Sequence, residues 1–469
     1  MPSPLNFPQK HSFAMNYTLD TMPLRPRHYW ITGVASLGQL IGTMLATIAG
    51  IIIPMLNLIL HPELSGLMQG VIGGADLVGI IIGSVVFGRL SDQYGYLFFF
   101  RLCPALMCIF AIIGALAPGI WILALCLFMI GFAIGGEYSL DSDYVSELTP
   151  SSYRSLMVGV TKTASALGNI IAAGVSYGLL TYWSGCGNDV PAMWPKLMWI
   201  IAATACIMLL SRIYFFQSPE WLMSKGRETE AEKALQDFLG KDVTMMPEPL
   251  QAPASDKQGM FAFMIKNWKK VVLSGVPWAC EGLGVYGIGV FLPILVMALG
   301  LEHFSPGEAA ILHVVDSVKI TLYISCIILP GFITGLILIN RKKSVTAIQT
   351  WGFLFCTAAL AVLVPAYSHH WNKWVAIGAF MAFEFFLNMG PHLVTYVLPP
   401  KIYPVPQRGQ GAGIAAAIGK IGAVLGVFCI PLLLKTGGAT LVLVVSAGVM
   451  AIGAVVTYSF RAEATERAS

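Results

Sequence analysis

Twelve long apolar runs constrain this chain more than any other feature of its sequence. An α-helix needs roughly 20 apolar residues to cross a hydrocarbon core about 30 Å thick. The chain lacks the alternating pattern of membrane β-strands, so a β-barrel is excluded. The runs predict twelve membrane-spanning helices, near residues 29–60, 65–88, 97–117, 120–147, 152–180, 196–217, 270–299, 308–339, 345–367, 374–397, 409–434 and 438–460.

The composition agrees with a membrane protein. Of the 469 residues, 56% are hydrophobic and only 11% are charged, whereas a soluble domain has roughly 25% charged residues. This scarcity of charge disfavours a soluble enzyme, a nucleic-acid-binding protein and a disordered chain.

The nine cysteines fall mostly inside the apolar runs and form no CxxC pair. They predict neither a disulfide framework nor a metal site, and we expect no metal and no organic cofactor.

The distribution of Lys and Arg predicts the orientation, because cytoplasmic loops of membrane proteins are enriched in these residues. With both termini in the cytoplasm, 22 of the 28 basic residues fall inside, including nine in a central stretch from Arg212 to Lys270. Three fall outside and three lie within spans. The predicted organisation is a cytoplasmic arm (1–28), a six-helix bundle (29–217), a cytoplasmic linker (218–268), a second six-helix bundle (269–460) and a cytoplasmic tail (461–469).

The linker contains one amphipathic segment. Apolar residues recur with the i, i+3, i+4, i+7, i+8 spacing of a helix at Ala231, Ala234, Leu235, Phe238 and Leu239. Two positions suit such a helix, namely the membrane surface and the underside of the bundle, and the sequence does not decide between them.

The two sets of six helices carry a trace of duplication. Pro150, with Arg154 four residues later, matches Pro404, with Arg408 four residues later, at an offset of 254. The same offset pairs three glycines of each half: Gly136 with Gly390, Gly159 with Gly413, and Gly168 with Gly422. Two parallel halves related about the membrane normal are the architecture of transporters that bind their substrate between the halves.

Several segments resemble signatures of the major facilitator superfamily, in particular its sugar-porter and phosphate:proton symporter branches. They are Gly88-Arg89-Leu90-Ser91-Asp92-Gln93-Tyr94-Gly95, Gly135-Gly136-Glu137-Tyr138 with the following Glu147, Pro150 and Arg154, Ser218-Pro219-Glu220-Trp221-Leu222 with Lys225-Gly226-Arg227, and Asn388-x-Gly390-Pro391 with Gly419-Lys420-Ile421-Gly422. The resemblance spans nearly the whole chain. It implies an all-α major facilitator fold of twelve transmembrane helices in two pseudo-symmetric six-helix bundles.

The same resemblance implies a secondary active transporter that moves a small polar metabolite by alternating access, with proton-coupled symport in the direction of uptake. The chain departs from the family pattern in four places. Gln93 and Tyr96 stand where basic residues are usual, Leu127 replaces an Arg, Lys401 replaces a Glu, and helix one lacks an acid. These departures leave two alternatives: a transporter-like receptor or scaffold that binds without cycling, and a proton-coupled exporter of organic cations. An intramembrane enzyme is not expected, since no span carries an HExxH motif.

Ionisable residues within the spans are the main functional candidates, because each costs about 2.5–3.5 kcal/mol at the bilayer centre. They are Asp76, Glu137, Asp141, Asp143, Lys162, Glu281, Asp316, Lys319, Glu384 and Lys420. Glu137 lies ten residues from Glu147, hence roughly 15 Å into the membrane. Asp141 shares its helix face, and Lys162 lies at nearly the same height. We therefore expect Glu137 or Asp141 to contact Lys162, either as a substrate or proton site or as a structural ion pair. Asp316 and Lys319 are expected to neutralise each other.

The predicted substrate and proton site consists of Glu137, Tyr138, Asp141, Lys162, Trp278, Glu281, Tyr286, Glu384, Asn388, His392 and Lys420. By the resemblance, a gate that locks one transport state contains Gly88, Asp92, Gly95, Glu147, Arg154, Lys401 and Arg408. The charge of the substrate stays open, because seven acids suit a cation or several protons, whereas an anion would have to use Lys162 or Lys420.

We further expect a monomer with a small-molecule substrate and membrane lipid as partners, and no nucleic acid. A proton is the expected coupling ion. The short loops, with no glycosylation sequon on the outer side, favour a bacterial inner membrane.

Overall fold

Helices make up most of the chain in the computed structural model. The structure describes residues 17–18, 22–60, 63–187, 189–239, 243–244, 260–301, 310–341, 343–369, 371–403 and 408–464. The first half of the chain, here called the N-half, contains six long helices: α1 (Pro26–Ile59), α2 (Gly66–Tyr94), α3 (Tyr96–Ala115), α4 (Ile120–Leu148), α5 (Ser151–Gly185) and α6 (Trp194–Ser211).

The second half, here called the C-half, contains several composite spans. A π-helical segment (Leu283–Ile288) joins α10 (Trp268–Gly282) to α11 (Leu292–Ala298). Gly390 followed by Pro391 separates α15 (Lys373–Met389) from α16 (Pro391–Ile402), since proline cannot continue the hydrogen-bond pattern of the preceding helix. The helices of the C-half are α10 (Trp268–Gly282), α11 (Leu292–Ala298), α12 (Ala310–Ser325), α13 (Ile328–Asn340), α14 (Val345–Ser368), α15 (Lys373–Met389), α16 (Pro391–Ile402) and α17 (Arg408–Ser459).

The described residues contain one apolar helix fewer than the twelve predicted, and α17 is by far the longest. Eleven stretches of the described residues are long and apolar enough to span a membrane, and the last of them, Gly411–Ser459, has 49 residues. A straight helix of that length would measure about 70 Å, more than twice the hydrocarbon core. Gly438 interrupts α17 with a φ of 65°, a left-handed conformation that glycine adopts readily. Gly438 thus divides α17 into two arms. The predicted all-α fold class is confirmed, with eleven apolar stretches described against the twelve crossings predicted.

The duplication is visible in how equivalent helices pack. A Cβ atom on Gly168 of α5 would overlap the carbonyl oxygen of Leu40 on α1, and one on Gly422 of α17 would overlap that of Ala279 on α10. The fifth span thus packs on the first as the eleventh packs on the seventh. The offset read from the sequence corresponds to equivalent close contacts in the two halves.

Glycines also bring the two halves together at one end of the bundle. We call the face with the α2–α3 turn, the α4–α5 turn and the linker the inner side, since charge predicts that it faces the cytoplasm, and the opposite face the outer side. A Cβ atom on Gly50 of α1 would overlap the carbonyl oxygen of Val290. One on Gly70 or Gly74 of α2 would lie 3.0 or 3.1 Å from the Phe428 ring of α17. The outer ends of the halves are therefore in near backbone contact.

The segment predicted as a linker forms three short helices, α7 (Pro219–Ser224), α8 (Glu228–Leu239) and α9 (Met260–Lys266). A two-residue strand, β1 (Tyr17–Thr18), pairs in parallel with β2 (Val243–Thr244).

The amphipathic helix is α8, and it packs against the underside of the N-half. Ala231 and Leu235 are fully buried. The ring of Phe238 lies 4.7 Å from that of Phe216, and Arg27 at the start of α1 donates to the backbone oxygens of Asp237 and Phe238. Of the two positions left open by the sequence, the structure therefore selects the protein surface.

Candidate functional site

The N-half encloses a fully buried ion cluster. Arg212 lies in a 3₁₀ turn directly after α6, and its guanidinium reaches Glu137 Oε2 at 2.5 Å and Asp141 Oδ1 at 2.8 Å. The guanidinium carbon also lies 4.8 Å from the centre of the Phe100 ring. All three charged side chains are at most 1% exposed. A buried charge requires such partners because desolvation costs several kcal/mol per ion.

This cluster corrects two expectations. Arg212, near the end of the sixth apolar run, is counted above among the cytoplasmic charges, but it is 0% exposed. Lys162 was expected to contact Glu137 or Asp141, but Arg212 occupies both carboxylates. Glu137 and Asp141 do share one helix face, as their i, i+4 spacing indicates, but that face is turned toward α6.

Lys162 instead projects toward the C-half. Its Nζ donates a 2.9 Å hydrogen bond to Gln39 Oε1 of α1 and lies 4.0 Å from the ring centre of Tyr396 on α16. The ring centre of Tyr138 is 5.2 Å away. A desolvated cation over an aromatic face is attracted by the ring quadrupole, by about 2 kcal/mol or more. Lys162 is thus held by a neutral amide and by aromatic faces.

Lys420 makes a nearly reciprocal contact from the C-half. Its Nζ donates to the Tyr286 hydroxyl at 3.2 Å and lies 5.4 Å from the ring centre of Tyr138 on α4. Each lysine therefore approaches a tyrosine of the opposite half. We call Lys162, Lys420, Tyr138, Tyr286 and Tyr396 the lysine–tyrosine layer.

A small cavity lies on the outer side of this layer, between the two halves. Its volume is about 40 Å³, and its polar lining includes Thr47, Asn169, Tyr286, Glu384, Asn388 and His392. Asn169 follows Lys162 along α5, and Asn388 precedes Tyr396, so both lie nearer the outer side. The lysine–tyrosine layer therefore lies at the inner end, or floor, of the cavity, where Tyr286 is its member in the lining. The glycine contacts close the outer end.

The C-half supplies two further polar pairs beside the floor. Glu281 Oε1 lies 3.3 Å from His392 Nδ1, with both side chains buried. Asn388 Nδ2 donates to Glu384 Oε2 at 3.2 Å. Trp278 packs its ring edge-on against Tyr396, with ring centres 4.9 Å apart. These residues, predicted as site candidates from the sequence, lie within one region of the structure.

The other predicted ionisable residues have different surroundings. Asp76 of α2 is 2% exposed, and its Oδ1 accepts a 2.8 Å hydrogen bond from the Leu77 amide. Asp316 and Lys319 form the expected intrahelical ion pair at 3.7 Å. Asp143 lies on α4, but its side chain is outside the described residues. In the part of the chain that the structure describes, no group of three metal-binding side chains occurs.

Some of the predicted gate residues are placed at the inner side. Glu147 accepts a 3.0 Å hydrogen bond from the Tyr96 hydroxyl and another from Ser218. Gly95 has a φ of 87°, and a Cβ atom there would overlap the side chain of Gln217. Lys401 is exposed near the end of α16.

The remaining gate residues belong to α2, α5 and α17, but their side chains lie outside the described residues: Gly88, Asp92, Arg154 and Arg408.

Sequence reasoning missed three residues of the central region: Arg212, Gln39 and Tyr396. A signal for Arg212 was present, because four apolar residues, Ile213–Phe216, follow it. A basic residue inside an apolar run is more consistent with an internal partner than with a loop.

Comparison with known proteins agrees with this architecture. The chain resembles the xylose transporter XylE from Escherichia coli in a partially occluded inward-open conformation, with a TM-score of 0.75 and 18% identity over 93% of this chain and 98% of that one. A crystal structure of a D-xylose-proton symporter gives a TM-score of 0.73 at 17% identity, covering 92% of this chain and 97% of the other. These likenesses support the major facilitator fold.

Sequence relatives cover most of the chain. The inner membrane metabolite transport protein YgcS of Escherichia coli K12 is 24% identical over 448 residues, which is 95% of this chain and 94% of that protein. The inorganic phosphate transporter PHO84 of Saccharomyces cerevisiae is 23% identical over 414 residues, 78% of this chain and 68% of that protein. A protein-family model described as "Sugar (and other) transporter" matches residues 3–468. With its two pseudo-symmetric helical halves, the chain therefore belongs to the sugar (and other) transporter family.

Proposed function

We propose that this protein is a proton-coupled symporter that imports a small anionic metabolite by alternating access, without converting it chemically. The observation that carries the proposal is the convergence of Lys162 and Lys420, from opposite halves, on the tyrosines just inside the central cavity. Among the described residues, no carboxylate lies within 4.0 Å of either ammonium group. Both cations are therefore available to an anion that enters the cavity.

The acids around the cavity supply a reason for coupling to protons. Glu281, Glu384 and Asp76 are buried beside or near the two lysines, whereas Arg212 already occupies Glu137 and Asp141. If the three acids Glu281, Glu384 and Asp76 and the two lysines are all ionised, these five groups carry one net negative charge and repel an anion. Each proton taken up adds one positive charge, so proton binding and anion binding favour each other.

Glu281 is the acid best placed to carry the coupling proton. It pairs with His392, which also lines the cavity, and both lie on C-half helices close to the lysine–tyrosine layer. Loss of this proton toward the inner side restores the negative charge and weakens anion binding. The same step would release both the proton and the anion.

The size of the cavity fits a state between the two open ones. At about 40 Å³ it is far smaller than the roughly 300–1,000 Å³ of typical ligand sites. Substrate entry therefore requires the halves to separate at one end. The names of the relatives support transport of metabolites or phosphate, and the inner-membrane name of the Escherichia coli relative supports a bacterial inner membrane, with the inner side facing the cytoplasm.

Uptake into proteoliposomes tests this function. Purified protein is reconstituted, and radiolabelled phosphate, a monocarboxylate, a dicarboxylate and xylose are offered with the external pH below the internal pH. We expect accumulation of an anion that a protonophore abolishes. Accumulation of xylose without any anion would contradict the proposed substrate class. Anion uptake that is unchanged by the protonophore would contradict the coupling, and binding without uptake would favour the receptor alternative.

A further inference from the structure

A large groove lies on the inner side of the N-half, separate from the central cavity. It has a volume of about 1520 Å³ and is formed by the start of α1, the α2–α3 turn, the turn after α6, and α8. Its walls contain Trp30, Phe98, Arg101, Tyr214 and Lys233. Neither the transport cavity nor the predicted gate uses these side chains.

The position of the groove places it at the level of lipid headgroups. Phe98 and Arg101 lie in the first two turns of α3, and Tyr214 follows the end of α6 by three residues. Phe98 is 63% exposed and Tyr214 is 80% exposed. Aromatic side chains exposed at the end of membrane helices are typical of the interface between hydrocarbon and headgroups. The aromatic wall of the groove therefore borders the inner leaflet.

The charges of the groove are mostly basic. Arg27 and Arg101 donate to the backbone carbonyl oxygens of Asp237 and Ile213, respectively. A carbonyl oxygen carries no formal charge, so these bonds do not neutralise the two arginines. Arg227 and Lys233 are balanced by the two acidic residues of the lining, Glu230 and Asp237. Arg27 and Arg101 therefore leave the groove with two net positive charges.

The acids of the groove lie on its α8 wall. Arg227 donates two hydrogen bonds to Glu230, at 2.9 and 2.6 Å, and these bonds lower the pKa of the Glu230 carboxyl. Lys233 and Asp237 are four residues apart on the same face of α8, a spacing at which opposite charges are neighbours. The α8 wall is therefore nearly neutral, and the excess positive charge lies on the wall formed by α1 and α3.

We propose that this groove binds an anionic phospholipid of the inner leaflet, with its phosphate near Arg101 and Lys233 and its acyl chains along Phe98 and Tyr214. A basic pocket between membrane helices with an apolar flank is the chemistry that recognises acidic headgroups. Such a lipid would join α8 to α1, α3 and α6, and so would brace the linker against the N-half. The site would act on the scaffold rather than on the transported solute.

Native mass spectrometry of the full-length protein, released from detergent and titrated with phosphatidylglycerol or phosphatidylcholine, tests the site. We expect tighter binding of phosphatidylglycerol, and no competition from free glycerol 3-phosphate at matched concentration. In the variant Arg101→Gln/Lys233→Gln, the affinity for phosphatidylglycerol should fall roughly fivefold for each charge removed. Arg27 is left intact, because its bonds hold the end of α8.

The matched control removes two exposed basic residues from the inner side of the C-half, in Arg341→Gln/Lys343→Gln, and should bind phosphatidylglycerol as the wild type does. Equal binding of the two lipids, an unchanged affinity in the groove variant, or an equal loss in the control would each overturn the proposal. Competition by free glycerol 3-phosphate would show an anion site rather than a lipid site.

A second measurement does not depend on the folding of the charge variant. Phosphatidylglycerol with brominated acyl chains should quench the tryptophan fluorescence of the wild type more than that of Trp30→Phe, because Trp30 lines the groove. Identical fractional quenching of the two proteins would place the acyl chains elsewhere and would contradict the proposal.

Discussion

Lys162 of the N-half lies over the ring of Tyr396 of the C-half, with its Nζ 4.0 Å from the ring centre. This contact crosses the boundary that must open and close during alternating access. It also holds a buried ammonium group beside the transport cavity, with no carboxylate of the described residues within 4.0 Å. One side chain thereby contributes both to the closed inner barrier and, as we propose, to the recognition of the substrate.

Replacing Lys162 by Met should weaken anion binding about tenfold to a hundredfold, because hydrogen bonds to a charged group contribute roughly 1.5–3 kcal/mol. The length of the side chain is kept while the charge is lost. Lys162→Arg retains the charge and should bind within about tenfold of the wild type. Isothermal titration with the transported anion gives both affinities, and equal affinities of the wild type and Lys162→Met would exclude Lys162 from the site.

Glu281→Gln should uncouple transport from the proton gradient. The amide keeps the shape and cannot release a proton, so anion exchange between two pools should persist while accumulation driven by the pH gradient is lost. Counterflow and gradient-driven uptake are measured in the same proteoliposomes. Glu147→Gln, at the inner side, is the matched control and should retain coupling to the gradient, even if its rate changes. Normal accumulation by Glu281→Gln would assign the proton to another group.

Removing Arg212 should destabilise the protein strongly. Arg212→Gln leaves two buried carboxylates without their cation, and breaking a buried ion pair in this way costs about 3–5 kcal/mol. Thermal unfolding in detergent should show a large decrease in Tm. The triple variant Arg212→Met/Glu137→Gln/Asp141→Asn removes every charge of the cluster and should recover most of the loss. The exposed Arg227→Gln serves as the control and should change Tm little. A triple variant no more stable than Arg212→Gln would show that the charges are not the cause.

Gly50→Val should prevent closure of the outer side, because a side chain there meets the Val290 backbone, which moves only if the halves separate. Transport should be abolished while the protein still folds, and a cysteine placed on the outer wall of the cavity, at Asn169, should become accessible to a thiol reagent in a background without the native cysteines. Gly33→Ala is the control, since no atom lies within 4 Å of the added Cβ. Full transport by Gly50→Val would contradict this outer barrier.

The fold was predictable to a large extent because it depends on hydropathy, which is local. The apolar runs, the Gly438 region as a boundary between two spans, and the offset relating Gly168 to Gly422 could all be read from the sequence. The partners of buried charges could not, since a helical spacing fixes which residues share a face but not which neighbour that face meets. Glu137 and Asp141 share a face as predicted, yet their partner Arg212 comes from the end of the sixth run and was counted among the cytoplasmic charges. Lys162 likewise contacts the ring of Tyr396, which lies 234 positions away in the sequence.

The two ends of the central cavity are closed by different kinds of contact. At the outer end, the Gly50 backbone lies against the Val290 backbone, and Gly70 and Gly74 lie against the Phe428 ring. The contact at Gly50 opens only when whole helices part. At the inner end, the seal consists of long, rotatable amines resting on aromatic rings. A passage there begins with torsion changes in individual residues, on a far faster timescale than helix movement. Tolerance to substitution should therefore differ between the two ends: Gly50 should reject an added methyl group, while the inner floor should accept many shapes and discriminate by charge.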